Sequence, residues 1–278
     1  MARIGLVLHS ADAAALVEAD RLSSRLAASG HEVVAVAGDA DALASVTSVD
    51  EDSFADGLEL AISLGGDGTV LRTVGLIGDA SVKILGVNFG DLGYLTVIEP
   101  DELDTAVERS LTGDHEIEER MLVSATSGDT TIHALNEIVI ERSPGDTTIQ
   151  VGVTVDGKPF TSYPADGLIV ATPTGSTAYS LSARGPIVFP THYALLLTPV
   201  SPHMLFDRSL VLGPDSVIEL TVEGHRPAGV SQDGNMVLVM QPGDSITCTR
   251  SPRVAQFVIF DARDNLAVLK SKLGIADR

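Results

Sequence analysis

The segment Gly65-Gly66-Asp67-Gly68-Thr69 sets three glycines around one carboxylate. Glycines permit a tight turn and let a phosphate approach the backbone, where N–H groups at a helix start favour an anion. Asp67 is the odd member, because a bare carboxylate repels phosphate. Its presence makes sense if it holds a cation or accepts a proton from an attacking hydroxyl. A plain glycine turn, with Asp tolerating unusual backbone angles, accounts for the same five residues. Gly65, Gly66, Gly68 and Thr69, with Arg72 as a nearby cation, form the candidate phosphate loop. An exposed helix position is the other reading of Arg72.

A second constellation lies downstream. Asp166 precedes the apolar run Leu168–Ala171, which leads into Thr172-Pro173-Thr174-Gly175-Ser176-Thr177-Ala178-Tyr179-Ser180. Small hydroxyl side chains offer donors and acceptors with little bulk, which suits a ribose or a polar heterocycle; a Thr-rich turn has the same composition. Asn136-Glu137 interrupts an otherwise apolar run from Ile132 to Ile140. Adjacent strand residues point to opposite faces, so one is solvated and the other inward. Asn136 suits base or ribose edges, and Glu137 suits ribose hydroxyls. A local β-bulge is the alternative.

Other patterns are decoys. Gly152 to Lys158 reads G-x-x-x-x-G-K, but Pro159 follows where a magnesium-binding hydroxyl belongs, and Asp156-Gly157 reads as a hairpin turn. The dinucleotide fingerprint G-x-G-x-x-G is missing. Seven histidines show no H-E-x-x-H spacing, and no G-x-S-x-G elbow occurs.

The elements that must position these residues fall into two regimes. Up to about residue 115 strand and helix signals alternate: Ile4–Leu8, a helix over 12–28 with Ala15, Leu16, Leu22 and Leu26 on one stripe, Val33–Val36, an acidic stretch from Asp39 to Asp56, Leu58–Leu64, and a helix with Val70, Leu71 and Val74 inward. Lys83–Val87 and a helix over Asp101–Leu111 follow. This rhythm predicts a parallel, helix-covered sheet. Beyond it, Met121–Ala125, Thr131–Ile140, Ile149–Val155, Phe160–Tyr163, Leu168–Ala171, Ser209–Leu212, Val217–Val222, Val237–Met240 and Ser245–Cys248 read as strands separated by Ser-Gly-Asp, Pro-Gly-Asp and Asp-Gly turns. The expected architecture is an α/β N-terminal domain with a parallel sheet, residues 1–115 joined by the tail 254–278, and a β-rich, β-sandwich-like C-terminal domain, residues 116–253. The tail reads as a strand, Val254–Phe260, and a helix, Asp264–Leu273.

Together these segments resemble the NAD kinase family. The matching pieces are Gly65–Thr69 with Val70-Leu71-Arg72; Gly86-Val87-Asn88-Phe89-Gly90 leading to Leu92-Gly93-Tyr94-Leu95; Glu119-Arg120-Met121-Leu122; Ala134-Leu135-Asn136-Glu137; Asp166–Ser182; and Leu197-Thr198-Pro199 with Pro202-His203. The glycine–aspartate motif alone also occurs in lipid kinases and phosphofructokinases. Its combination with Asn-Glu and Thr-Pro-Thr-Gly-Ser-Thr-Ala-Tyr is specific. The resemblance implies that Asp67 is the catalytic carboxylate near the adenosine ribose 2′-hydroxyl. It implies that Gly68, Asn136 and Glu137 hold NAD, that Thr177, Ala178 and Tyr179 line the adenine pocket with Tyr94 nearby, and that Asp166, Ser182 and Asp233 contribute to the dinucleotide site. It further implies Mg²⁺ or another divalent cation, ATP or polyphosphate as donor, and a cytoplasmic homodimer or homotetramer; the metal ligands stay unassigned. Two positions depart from the family: Arg184-Gly185 stands where two glycines are usual, and Pro164 where a basic residue occurs in some bacterial members.

Composition bounds the rest. The 278 residues carry 38 acidic against 18 basic side chains, a net charge of −20, and only 4 of the basic residues are Lys. Nucleic-acid binding needs a basic footprint and is excluded. With 44% hydrophobic residues and a mean hydropathy of +0.24 the chain folds rather than staying disordered. The charge-free run from Gly185 to Phe206 holds four prolines and is no membrane helix, and no signal peptide is expected at the N-terminus. Cys248 is the single cysteine, so no intrachain disulfide forms, and it reads as a buried strand residue. An Asp-rich, Lys-poor coat resembles that of proteins from halophilic archaea. At ~1 M salt the Debye length is about 3 Å, so such a surface hardly repels itself. Folding is therefore expected to require molar salt. Unfolding midpoints measured from dilute buffer to molar KCl check this, and full stability in dilute buffer would refute it.

Overall fold

The first half of the chain lays down a parallel sheet whose strand ends carry the glycine loop. In the computed structural model, residues 1–90, 93–96, 98–143, 145, 147–260, 265–272, 274 and 275 are described. Leu92 of the family-like motif, Pro144 and Asp146 of one expected turn, and Asp264 and Leu273 at the expected ends of the tail helix lie outside them. The chain divides into two units, Met1–Glu119 with Ala255–Arg278, and Arg120–Val254.

In the first unit come β1 (Arg3–Leu8), α1 (Ala13–Ala28), β2 (Glu32–Val36), α2 (Ala37–Ala40), β3 (Thr47–Val49), β4 (Leu60–Gly65), α3 (Asp67–Ile77), β5 (Lys83–Asn88) and α4 (Leu103–Thr112). The parallel order is β3-β2-β1-β4-β5. The strands are almost wholly apolar, as expected of a sheet covered on both faces. The order reverses direction at the β1/β4 pair, and ligands in such sheets bind beyond the carboxyl ends of the strands at that switch. α1 starts at Asp12, whose carboxylate accepts the N–H groups of Ala14 and Ala15 at 2.8 and 3.0 Å. It buries Ala15, Ala19, Leu22, Ser23 and Leu26, while Leu16 is half-buried.

One expectation changes here, and one segment left without a structural reading gains one. The inward stripe of α3 is Thr69, Val70, Thr73 and Ile77, with Leu71 and Val74 only half-buried. Apolarity misjudged Thr73, which can be buried because its hydroxyl donates to the Thr69 carbonyl at 2.8 Å. The acidic stretch 39–56, given no element in the sequence reading, carries regular structure. It holds the end of α2, the edge strand β3 and the fully buried Phe54. The Phe54 ring fills the space above Gly5, where a Cβ would lie 2.5 Å from Phe54 Cζ.

The second unit is antiparallel. β6 (Glu116–Ser127), β7 (Thr130–Ala134), β8 (Glu137–Arg142), β9 (Ile149–Val155), β10 (Lys158–Ala165) and β11 (Gly167–Ala171) precede α5 (Tyr179–Ser182). β12 (Leu195–Val200), β13 (Leu210–Leu212), β14 (Ile218–Glu223), β15 (Ala228–Gln232), β16 (Asn235–Met240) and β17 (Ser245–Ile259) follow, and α6 (Asn265–Lys272) comes last. One layer runs β13-β12-β11-β8-β15-β16; the other has β10-β9-β14 paired on to β17, and β6 pairs with β17 and β7. Val151, Val153, Leu220 and Cys248 from one layer share a core with Ile138, Ile140, Leu168 and Leu197 from the other. This is the expected sandwich. Cys248 is buried there, and desolvation pushes its thiol up to about 12.

The Gly152–Lys158 decoy is a hairpin, with Asp156 and Gly157 at φ 51° and 73°. The expected strand Thr131–Ile140 is two strands, since the Leu135 and Asn136 N–H groups leave the ladder for the Asp233 carboxylate. The expected Ser245–Cys248 and Val254–Phe260 are one strand, β17, whose buried positions shift from Ile246 and Cys248 to Ser251, Ala255 and Phe257 across Arg250. Its end pairs in parallel with β5, at Gln256↔Lys83 and Phe257↔Ile84. β12 and β15 were not foreseen; β12 lies in the proline-rich, charge-free run. Phe54→Ala is expected to cost about 3–5 kcal/mol of unfolding free energy, read as a lower urea midpoint. A midpoint matching the parent chain would show that the acidic stretch is not anchored by this ring.

Candidate active site

The glycine loop joins β4 to α3. Gly66 is the N-cap of α3, with extended backbone (φ −103°, ψ −165°) and no side-chain cap. None of Gly65, Gly66 and Gly68 has a left-handed φ. At Gly65 glycine is needed for room rather than for a sharp turn. A Cβ on Gly65 would meet Thr69 Oγ1 at 2.2 Å and His9 Cβ at 3.0 Å. A Cβ on Gly68 would meet nothing, so the first turn of α3 stays open to a ligand. Gly65, Gly66, Gly68 and Thr69, with residues 8–12, Arg72 and Phe89-Gly90, wall a pocket of about 680 Å³.

Asp67 is the first residue of α3. Its Oδ2 accepts the Tyr94 N–H and its Oδ1 the Leu95 N–H, both at 2.9 Å. This clamp fixes the carboxylate and leaves each oxygen a further lone pair. It also demands glycine at 93, where a Cβ would lie 2.3 Å from Asp67 Oδ1 and 2.4 Å from Thr96 Oγ1. Tyr94 is half-buried; desolvation, and secondarily the Asp67 charge, raise its phenol above the ordinary value. Lys272 Nζ lies 5.5 Å from the centre of the Tyr94 ring. Arg72 lines the pocket, but its Nη1 donates to both Asp39 oxygens, at 3.0 and 2.9 Å.

In the second unit, Asn136, Glu137, Asp233 and the hydroxyl-rich block come together. Asp233 sits at φ 45°, and its carboxylate accepts the N–H groups of Leu135, Asn136 and Glu137 at 2.9, 2.8 and 3.1 Å. It therefore holds the Asn-Glu step in place with main-chain bonds. Burial raises its pKa, opposed by those three bonds. The Asn136 carbonyl accepts the Thr172 N–H at 2.9 Å. A Cβ on Gly175 would fall 2.0 Å from that carbonyl oxygen, which is why only glycine fits. The Asn136 side chain is half-buried. Glu137 is 6% exposed, and its Oε2 makes no hydrogen bond. Burial, then the Asp233 charge, push its carboxyl up to about 8, opposed by a hydrogen bond from the Tyr179 backbone. A buried carboxyl oxygen without a partner makes Glu137 a candidate contact for a polar ligand group.

The hydroxyls are less available than their number suggests. Thr172 donates to the Leu135 carbonyl at 2.6 Å and accepts the Gly175 N–H. Ser176 bridges both backbone groups of Val188, and Ser180, Thr198 and Ser209 bond in a chain. The buried Arg120 donates to Thr174 at 3.3 Å. Thr177, Ala178, Tyr179 and Ser182 keep solvent-accessible surface, although the Thr177 hydroxyl donates to the Thr174 carbonyl at 3.2 Å. Asp166 pairs with Arg142 at 2.9 Å, both half-exposed. Arg184, at φ 66°, holds the left-handed conformation that a glycine adopts without strain. That geometry explains why glycine suits position 184. Gly185 is different: a Cβ there would meet Ser180 Oγ at 2.3 Å.

Sequence reasoning missed the tasks of Gly93 and Asp39. Gly93 stood in a motif but carried no stated role; Asp39 was only the start of an acidic stretch. Nothing in the local pattern of Asp39 distinguishes it from its exposed neighbours.

The ATP-NAD kinase N-terminal domain profile matches residues 4–115, and the ATP-NAD kinase C-terminal domain profile matches residues 135–260. An NAD kinase of Geotalea daltonii is 39% identical over 233 residues, 82% of each chain. One from Symbiobacterium thermophilum is 36% identical over 280 residues, covering 98% of this chain and 99% of that one. The fold is similar to that of yeast NADH kinase complexed with NADH, with a TM-score of 0.92 and 24% identity over all of this chain and 89% of that one. It is also similar to an NAD kinase from Archaeoglobus fulgidus in complex with ATP, with a TM-score of 0.80 and 26% identity over 97% and 99% of the two chains. Profiles covering both parts of the chain, and relatives matching 82% and 98% of it, establish that it belongs to the NAD kinase family and is an enzyme that phosphorylates NAD.

Proposed function

We propose that the enzyme transfers the terminal phosphoryl group of ATP, or of polyphosphate, to the 2′-hydroxyl of the adenosine ribose of NAD. A phosphorus–oxygen bond forms at the 2′-oxygen, the anhydride bond to the leaving phosphate breaks, and the hydroxyl proton passes to Asp67. The observation that carries this reading is the Asp67 clamp. A carboxylate at a helix start, beside open backbone N–H groups and fixed by two amides, suits a base that must sit next to phosphate without swinging away. The glycine loop and Arg72 hold the donor's phosphates. The Archaeoglobus fulgidus relative bound to ATP supports ATP as that donor.

In the second unit Glu137 accepts from the ribose hydroxyls and Asn136 offers its amide to the nucleoside. Thr177, Ala178 and Tyr179 line the adenine pocket, Asp166 and Ser182 add polar contacts, and Asp233 positions the Asn-Glu step. Among the described residues no three His, Cys, Asp or Glu side chains gather into a metal cage. That suits Mg²⁺ carried in on the donor's phosphates, with Asp67 as the protein carboxylate beside it. When bound, the ion neutralises charge on the phosphates. No helix among the described residues is long and apolar enough to cross a membrane, in keeping with the proposed cytoplasmic location. A homodimer or homotetramer is supported by Met236, Val237 and Val239, which are 57%, 41% and 57% exposed on the edge strand β16. The acidic coat supports work in a saline cytoplasm.

Two tests follow from the site. Asp67→Asn is expected to lower kcat by ~10²–10⁴, followed as NADP formed from NAD, ATP and Mg²⁺ at low and molar salt. Turnover near that of the parent would remove Asp67 from the base role. The second concerns Glu137. Its carboxyl is raised to about 8 in the fold from an ordinary 4.5. Between those values the folded chain keeps a proton that the unfolded chain has lost, so this residue lowers stability as pH rises through the window. Glu137→Gln stays neutral throughout. Without NAD it is expected to melt above the parent at about pH 9, with the gap closing towards about pH 4. A gap independent of pH would show that the carboxyl is not held protonated. The same variant is expected to bind NAD more weakly, which calorimetry checks.

A further inference from the structure

Most carboxylates among the described residues face solvent, yet Asp39 is 3% exposed and bonds to Leu8 and Arg72, two residues that line the glycine-loop pocket. It lies in α2, just after β2. Its Oδ2 accepts the Leu8 N–H at 3.0 Å, at the end of β1 where the pocket begins. Both of its oxygens also receive Arg72 Nη1, at 2.9 and 3.0 Å. The same nitrogen lies 3.4 Å from the Leu8 carbonyl oxygen. One nitrogen of the guanidinium is thus bound from behind. Its Nε and Nη2 have no partner among the described residues, and the side chain is 38% exposed on the pocket wall. Arg72 lies one turn along α3 from Gly68, on the same face as the open first turn.

A buried carboxylate beside a phosphate pocket opposes binding by its charge, so its retention calls for a compensating task. A guanidinium on a flexible stem loses rotamer freedom when it grips an anion, and a partner that fixes it beforehand removes that cost. We propose that Asp39 is a positioning residue. It holds Arg72 by one edge, so that the free edge meets the phosphoanhydride chain of the donor. The inference rests on the placement of donor phosphates at the glycine loop given above, and extends it to the residue that sets the geometry.

Steady-state kinetics of the full-length enzyme test it, with ATP and with polyphosphate as donors in separate arms. Asp39→Asn keeps an oxygen for the Leu8 N–H while removing the charge that holds Arg72. It is expected to raise the donor KM about 10- to 100-fold, the scale of a lost hydrogen bond to a charged group, with the NAD KM changed less than about twofold. Arg72→Ala is expected to do the same, and the double variant to be no worse than Arg72→Ala alone, because Asp39 acts only through Arg72. An effect with either donor supports the inference and identifies whose phosphates Arg72 meets. A donor KM in Asp39→Asn that is unchanged or lower overturns it, a lower value meaning that Asp39 merely neutralises Arg72. A double variant showing the product of the two single effects overturns it as well. If Asp39→Asn folds poorly, Asp39→Ser, which also keeps an acceptor for Leu8, carries the same expectations. Should Arg72→Ala leave the donor KM untouched with both donors, the role of Arg72 in the phosphate site falls too; should only the Asp39 variants be silent, that role stands.

Discussion

In each unit the candidate residues depend on a carboxylate held by main-chain N–H groups. Asp67 is gripped by the amides of Tyr94 and Leu95, and Asp233 by those of Leu135, Asn136 and Glu137. In each case an Asp binds a stretch of chain remote in sequence and fixes a loop that no ladder would otherwise order. Charge-assisted bonds of this kind are about twice as strong as neutral ones. They also impose steric demands. The Asp67 clamp excludes any side chain at 93, and the packing of Thr172 and Gly175 on Asn136 excludes any at 175.

The same device reconciles a net charge of −20 with phosphate chemistry. Among the described residues the buried acidic side chains are Asp39, Glu118 and Glu137. Around the glycine-loop pocket, Asp12 caps α1, Asp39 holds Arg72 and Leu8, and Asp67 is clamped. Each of these negative charges faces donors supplied by the protein. Pairs at these short distances are screened by salt far less than charges on the open surface. The local field at the loop can thus differ in sign from that of the coat.

Much of this was legible in the sequence. The alternation of strand and helix located β1, α1, β2, β4, α3 and β5 because apolar runs and glycine stops are local signals. The glycine–aspartate loop, the Asn-Glu pair and the accessible end of the hydroxyl block were visible as residue types in order. What escaped had non-local causes. Thr73 is buried because a backbone carbonyl one turn away satisfies it. Leu135 and Asn136 leave the strand because a carboxylate about a hundred positions later captures their amides. The hydroxyls of Thr172, Ser176 and Ser180 looked like ligand contacts, yet they are taken up by neighbouring strands and loops. Asp39 resembled every other acid in its stretch, and only the fold sets it behind Arg72.

The clamp on Asp67 has a consequence for how such an enzyme can diverge. Its two donors are peptide groups, present whatever side chains stand at 94 and 95, short of proline. Drift at these positions can reshape the surroundings of the carboxylate without releasing it. Glycine at 93 has no such latitude, since any side chain there would collide with the carboxylate itself. The arrangement separates what must stay constant from what is free to vary: the carboxylate is anchored by the polymer, and the walls around it by the alphabet.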